Sequence, residues 1–163
     1  GLSYAFEVTW PRDMIDVSLS KYAPKAKEKG IVFNMVTDHE IPLVIVDKRK
    51  IQSVIDILFE NAINYSQKGG RVDVNLYKDG RFVGLEVRDH GIGIKHRDLH
   101  NLFKRFYRSN EAKLASPEGM GLSLYMIKGI VREHGGKITV KSAGLDKGTT
   151  FTVRLRASNK KPS

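Results

Sequence analysis

The stretch DKRKIQSVIDILFENAINYS, residues 47–66, decides how the chain is read. Its apolar residues Ile51, Val54, Ile55, Leu58, Phe59, Ala62 and Tyr65 recur at the i, i+3, i+4, i+7 spacing of an amphipathic helix. Gly69 and Gly70 end it. Downstream, 72–77 and 82–88 alternate as two strands across Asp79-Gly80, a turn pair that favours a hairpin. Upstream, 43–46 is a short strand entered through Pro42, and 31–36 is another. Residues 4–10 read as a first strand stopped by Pro11. Asp13 reads as the cap of a helix that carries Ile15, Leu19, Tyr22 and Ala26 and ends at Gly30.

Beyond the hairpin, a glycine-broken segment at 89–94 leads to a short helix at 97–103. Residues 109–118 contain little that can anchor a core, so a mobile loop is expected there. A second long helix is expected from near Gly119, with Leu122, Met126, Ile127, Ile130 and Val131 on one side and Gly135-Gly136 at its end. Strands at 137–142 and 148–154 close the chain, and the basic tail from Ala157 is expected to be disordered. Strands and helices mix without strict β-α-β alternation. The expected fold class is therefore α/β of the α+β kind: a two-layer sandwich, a mixed sheet with about three helices on one face.

The chain's 163 residues suit one domain, and a chain of this length needs no disulfide staple. Cysteine is absent, which excludes a disulfide framework, thiol catalysis and thiolate metal sites, and fits a reducing compartment. No apolar run approaches the roughly 18 residues that span a bilayer, so a soluble domain is expected. The net charge of +10 suits an anionic partner, but Lys and Arg are scattered except in the tail, as on an ordinary solvated surface.

Four segments carry chemistry. On the long helix, Ile57, Asn61 and Asn64 fall on one strip beside the apolar stripe. An amide there can serve phosphate oxygens or a metal's water shell, and a solvated flank is the plainer alternative. Asp89-His90-Gly91-Ile92-Gly93-Ile94 follows a strand: Asp89 can accept from the amino group of adenine, and the glycines allow close backbone approach. A plain turn uses the same residues. In Leu102-Phe103-Lys104-Arg105-Phe106-Tyr107-Arg108, the two Phe suit a core, while Arg105 and Arg108 match phosphate oxygens. Gly119-Met120-Gly121-Leu122-Ser123-Leu124 opens a helix, whose N-terminal N–H groups suit an anion or merely a glycine cap.

In order and spacing these segments resemble the ATP-binding catalytic domain of two-component sensor histidine kinases, within the superfamily of gyrase, Hsp90 and MutL. The resemblance runs from about Phe6 to Leu155. The segment around Asn61 resembles the N box and 89–93 the first glycine box. Residues 102–108 resemble the F box, 119–124 the second glycine box, and Gly148-Thr149-Thr150-Phe151 the closing G-T-T-F strand. Asp47 and His134-Gly135-Gly136 also sit where such domains place them. The F box belongs to histidine kinases rather than to the ATPases. Ile57 stands where the ATPases place a water-activating Glu and the kinases a second Asn that helps to hold Mg²⁺, and Asn64 stands where the kinases usually place a phosphate-binding Lys. Asp56 is no simple replacement, because it lies about 100° around the helix.

The resemblance implies ATP or ADP and Mg²⁺ as cofactors, under a flexible lid. Asn61 and Arg108 would be catalytic, and Asn61 would be the metal residue. Asn61, Asn64, Tyr65, Asp89, Gly91, Gly93, Ile94, Arg105, Arg108, Gly119, Gly121, Leu122 and Thr149 would hold the nucleotide. It implies residues 1–12 as the end of a linker with the first strand, 13–156 as the ATP-binding domain and 157–163 as a tail. The implied partners are a helical dimerisation domain bearing the phosphoacceptor histidine and, indirectly, a response regulator, with no nucleic acid. The isolated domain would be monomeric and the parent homodimeric, with this domain in the cytoplasm. His39, His90, His96, His100 and His134 all lack a phosphoacceptor context, so the chain alone is expected to be inactive. A degenerate nucleotide-binding regulatory module and an anti-sigma-type serine kinase stay open as alternatives.

Overall fold

The structure is a computed structural model and describes residues 3–115 and 123–159. Its elements in chain order are β1 (Phe6–Thr9), α1 (Pro11–Lys29), β2 (Val32–Thr37), β3 (Val44–Asp47), α2 (Lys48–Tyr65), β4 (Arg71–Asp79) and β5 (Phe82–Asp89). They continue with α3 (His96–Leu99), α4 (Asn110–Ala115), α5 (Ser123–Glu133), β6 (Lys137–Lys141) and β7 (Thr149–Arg156). Five strands form a mixed sheet in the order β2-β4-β5-β7-β6, with β2 parallel to β4 and every other pair antiparallel. β1 and β3 form a separate antiparallel ribbon.

Helix α2 is the central beam. Asp47 caps it: one carboxylate oxygen accepts from the Lys50 N–H at 3.1 Å and the other from the Ala5 N–H at 2.9 Å. Its apolar stripe, Ile51, Val54, Ile55, Leu58, Phe59, Ala62 and Ile63, is buried against Val72, Val74, Leu76, Val87 and Val153 of the sheet. Alternation along β4 and β7 leaves the other sheet face polar and accessible. Helix α1 packs alongside α2 through a polar staple. Ser18 Oγ donates to Asp56 Oδ1 at 2.6 Å, Lys21 Nζ donates to Asp56 Oδ2 at 2.9 Å, and the Gln52 amide donates to Met14 O and Ser18 Oγ. Asp56 is thus committed to α1.

Several local expectations change. Helix α1 is capped at Trp10 with Pro11 as its first residue, and Asp13 lies in the first turn, where a carboxylate favours the positive end of the helix dipole. The helix therefore starts at Pro11, two residues before the expected cap at Asp13. The hairpin ladder reaches Asp79 opposite Phe82, which places the loop at Gly80 and Arg81. The short helix covers only His96–Leu99. Residues 110–115 form α4 instead of a loop, because Ser109 Oγ accepts the Ala112 N–H at 3.1 Å and Lys95 pairs with Glu111 at 3.0 Å. On α5, Met126 points to solvent while Ile127, Ile130 and Val131 are buried. The start of the tail is fixed: the Ala157 N–H donates to Arg81 O and the Ser158 N–H to Leu43 O, each at 2.7 Å. Gly119, Gly121 and Leu122 lie outside the described residues, as do 116–118 of the expected mobile loop.

Candidate functional site

The C-terminal turn of α2, the end of β5 and the start of β7 meet around one cleft. Helix α2 contributes Asn61 and Tyr65, one turn apart on the same strip, and β5 ends in Asp89. Gly93 and Ile94 follow from the glycine-rich segment, and Thr149 faces Asp89 across the β5–β7 pair. Arg108 closes one side. The apolar walls come from Ile92, Ile94, Leu102, Leu124 and Phe151.

Asp89 sets the electrostatics. It is 5% exposed, and burial pushes its carboxyl up to about 6, against the pull of the Gly91 and Thr149 backbone N–H groups, which favour the ionised form. The Gly91 N–H donates to Asp89 Oδ1 at 2.9 Å. A buried carboxylate in an apolar cleft is an acceptor awaiting a flat donor, and an exocyclic amine on a heteroaromatic base meets that description.

The two glycines after Asp89 serve packing rather than ligand approach alone. A Cβ on Gly91 would lie 1.8 Å from Tyr65 O, because the segment docks on the end of α2, where the Ile92 N–H donates to Tyr65 O at 3.1 Å. Gly93 has φ +67°, and a Cβ there would meet Gly144 O at 2.0 Å. Gly91 itself is absent from the cleft wall.

The basic residues separate. Arg108 Nη2 donates to Ala112 O at 2.9 Å and lies 3.4 Å from the Tyr65 hydroxyl, which ties α4 to α2 across the cleft. Beside it, the Tyr107 hydroxyl donates to Asp98 Oδ1. Arg105 turns away: its guanidinium lies over the rings of Phe106 and Tyr125, outside the cleft. A turn closed by the Tyr107 N–H on Lys104 O at 3.1 Å, with Phe106 at φ +65°, lies between the two arginines. Asn64 is also absent from the cleft wall, and its carbonyl and that of Ile63 accept from Lys29 Nζ of α1. Ile57 packs half-buried against the core.

Two histidines have structural partners. His90 Nε2 lies 2.9 Å from Asp73 Oδ2 on the open sheet face. His134 Nε2 accepts the Asp47 N–H at 3.1 Å, which leaves the proton on Nδ1 to donate to Ile130 O at 2.7 Å. This ring binds the end of α5 to the start of α2, with Tyr4 and Phe6 packed edge-on against it.

Tyr107, Ser109 and Ala112 line the cleft although the sequence reading gave none of them a role there, Tyr107 being quoted only as part of the segment 102–108. Tyr107 carried a usable signal, because it sits between the paired aromatics and Arg108. Ala112 had none, since its place depends on α4.

A family model described as "Histidine kinase-, DNA gyrase B-, and HSP90-like ATPase" matches residues 46–159. The sensor histidine kinase YkoH of Bacillus subtilis (strain 168) is 40% identical over 123 residues, covering 76% of this chain and 26% of its own length. A structure of the mycobacterial sensor histidine kinase MprB superposes with a TM-score of 0.80 at 28% identity, covering 95% of this chain and 98% of that one. The histidine kinase ThkA, in complex with the response regulator protein TrrA, shares the fold with a TM-score of 0.78 at 24% identity, covering 96% of this chain and 43% of that one. The chain spans between about a quarter and a third of the length of the curated relatives it matches.

Proposed function

The chain belongs to the histidine kinase-, DNA gyrase B- and HSP90-like ATPase family, and on that premise we propose that it binds Mg-ATP and donates the γ-phosphoryl group to a histidine on a separate helical domain. The observation that carries this reading is Asp89, a buried carboxylate held by two backbone N–H groups at the floor of an apolar cleft.

In this reading the Asp89 carboxylate accepts from the adenine amino group, while Ile94, Leu102 and Phe151 cover the faces of the base. Asn61 and Arg108 stand on the phosphate side, where positioning and charge stabilisation make up most of what a phosphoryl-transfer site does. The second glycine box, with Gly119, Gly121 and Leu122, would complete that side. Asn61 offers the one α2 amide on the cleft wall for Mg²⁺, and among the described residues no group of three His, Cys, Asp or Glu can hold a metal. Such a donor set fits an ion that keeps its waters and phosphate ligands, and it does not form a cage. When bound, the ion would neutralise phosphate charge.

The nucleophile would come from a helical dimerisation domain of a homodimeric parent, and a response regulator would receive the phosphoryl group downstream. Among the described residues no helix is long and apolar enough to cross a membrane, and we place the domain, as a monomer when isolated, in the cytoplasm. A second reading, a nucleotide-binding regulatory module with weak transfer, is favoured by an aliphatic Ile57 packed against the core and by Asn64 outside the cleft.

Labelled ATP should leave this chain unlabelled and should label a histidine-bearing helical domain of its parent when the two are mixed. Nucleotide binding without transfer would select the second reading. Acid-labile label on this chain alone would contradict both.

A further inference from the structure

The cleft's floor is held in place by a side chain that does not touch it. The loop between β6 and β7, residues 142–148, lies against the glycine-rich segment 89–94. The Asp146 N–H donates to Ile92 O at 2.8 Å, and the Gly148 N–H donates to Gly91 O at 3.2 Å. At the centre of this junction stands Ser142. Its Oγ accepts the Ile94 N–H at 3.0 Å and the Gly144 N–H at 3.3 Å, and donates to Gly148 O at 2.7 Å. One hydroxyl donor and two lone pairs are thus all used, the full capacity of a serine.

Each partner leads to the cleft. Ile94 is a wall residue. Gly148 precedes Thr149, whose backbone N–H favours the ionised form of Asp89. Gly144 O is the atom against which Gly93 packs. Gly93, Gly144 and Gly148 all take positive φ, a backbone conformation that residues with a Cβ rarely adopt, so this approach of the two loops depends on glycine at those positions. Without the hydroxyl, the Ile94 N–H loses its acceptor and the two loops lose their shared node.

We propose that Ser142 is a positioning residue of the nucleotide site, locking the 142–148 loop to the 89–94 segment so that Asp89 and Ile94 present a preformed adenine slot. It acts on affinity and base selectivity through these loops. The inference rests on the adenine reading of the cleft, so the wild-type chain is measured first.

Calorimetry with ADP and GDP on wild type, Ser142→Ala, Ser142→Cys and Ser142→Thr separates the outcomes. The Cys variant keeps the volume with weak hydrogen bonding, and the Thr variant keeps the hydroxyl. ADP affinity should fall about tenfold, equivalent to about 1.4 kcal/mol, in Ala and Cys. The preference for ADP over GDP should narrow, and Thr should recover most of the loss. Thermal melts run alongside establish that all four chains are folded at the binding temperature. Ala and Cys variants within twofold of wild type for ADP would overturn the proposal. So would a Cys variant at wild-type affinity with Ala and Thr both weak, since volume would then be the cause. A wild-type chain that binds no adenine nucleotide would instead defeat the adenine reading itself.

Discussion

Replacing Asp89 with asparagine separates two consequences of burying a carboxyl, one for stability and one for binding. Burial raises the Asp89 pKa from 3.8 to about 6, equivalent to about 3 kcal/mol of disfavoured ionisation. Below pH 3.8 the folded and unfolded chains are both protonated at this site and it contributes nothing. Between 3.8 and 6 the unfolded chain releases its proton while the folded chain keeps it, so stability falls as pH rises. Above about 6 both are ionised and the full penalty is present. Asp89→Asn removes the titration, so the difference in unfolding free energy should shift in the variant's favour by up to about 3 kcal/mol between pH 4 and pH 7. Urea unfolding of the nucleotide-free proteins across that range measures it. ADP affinity should run the other way: in wild type it rises through about pH 6 as the acceptor ionises, and in the variant it is weak and flat, because the amide turns a donor toward the base. A stability difference that does not change with pH, or an ADP affinity equal in both proteins, would refute the reasoning.

Two further outcomes follow from neighbouring features. Ile57→Asn should increase the Mg²⁺ dependence of ATP-analogue binding, while wild type binds ADP nearly as well without Mg²⁺; since Ile57 packs on the core, the change should cost about 1 kcal/mol in a urea melt. A large Mg²⁺ enhancement in wild type that the substitution leaves unchanged would show that Asn61 and water suffice. His134→Phe keeps the ring against Tyr4 and Phe6 but leaves the Asp47 N–H and Ile130 O without a side-chain partner, so stability should drop by about 1–3 kcal/mol; an unchanged urea midpoint would remove the histidine from the architecture.

What the sequence made legible follows from how local each signal is. Helix α2 could be read because eighteen residues carry a strong periodic stripe, an Asp cap and a terminating glycine pair. Helix α4 could not. Six residues are too few to be helical on their own account, and its formation depends on the Ser109 cap and the Lys95–Glu111 pair. Met126 satisfies the helical period as well as Ile127 does, and only the packed sheet decides which one is buried. Asn61 and Asn64 share a strip by arithmetic, yet only Asn61 lines the cleft. Arg105 and Arg108 look equivalent as residue types, yet a turn with Phe106 at φ +65° lies between them and only Arg108 lines the cleft. Ser142 was invisible to sequence reasoning because the contact that ties it to the cleft, with the Ile94 N–H, spans 48 residues, while its bonds to Gly144 and Gly148 are those of an ordinary loop.

The strand order also fixes when the cleft can come into being. β5 has β7 as its neighbour, so the pairing of Asp89 with Thr149 waits for a segment made some sixty residues later, and β6 hydrogen-bonds to the sheet through β7 alone. A nascent chain that has already closed the β4–β5 hairpin therefore still presents one raw edge of β5. During synthesis that edge is open to pairing with another chain, and the interval ends only when β7 leaves the ribosome and inserts between β5 and β6. Long-range pairing of this kind is slow by nature, so the floor of the binding site is among the last parts of the molecule to be built.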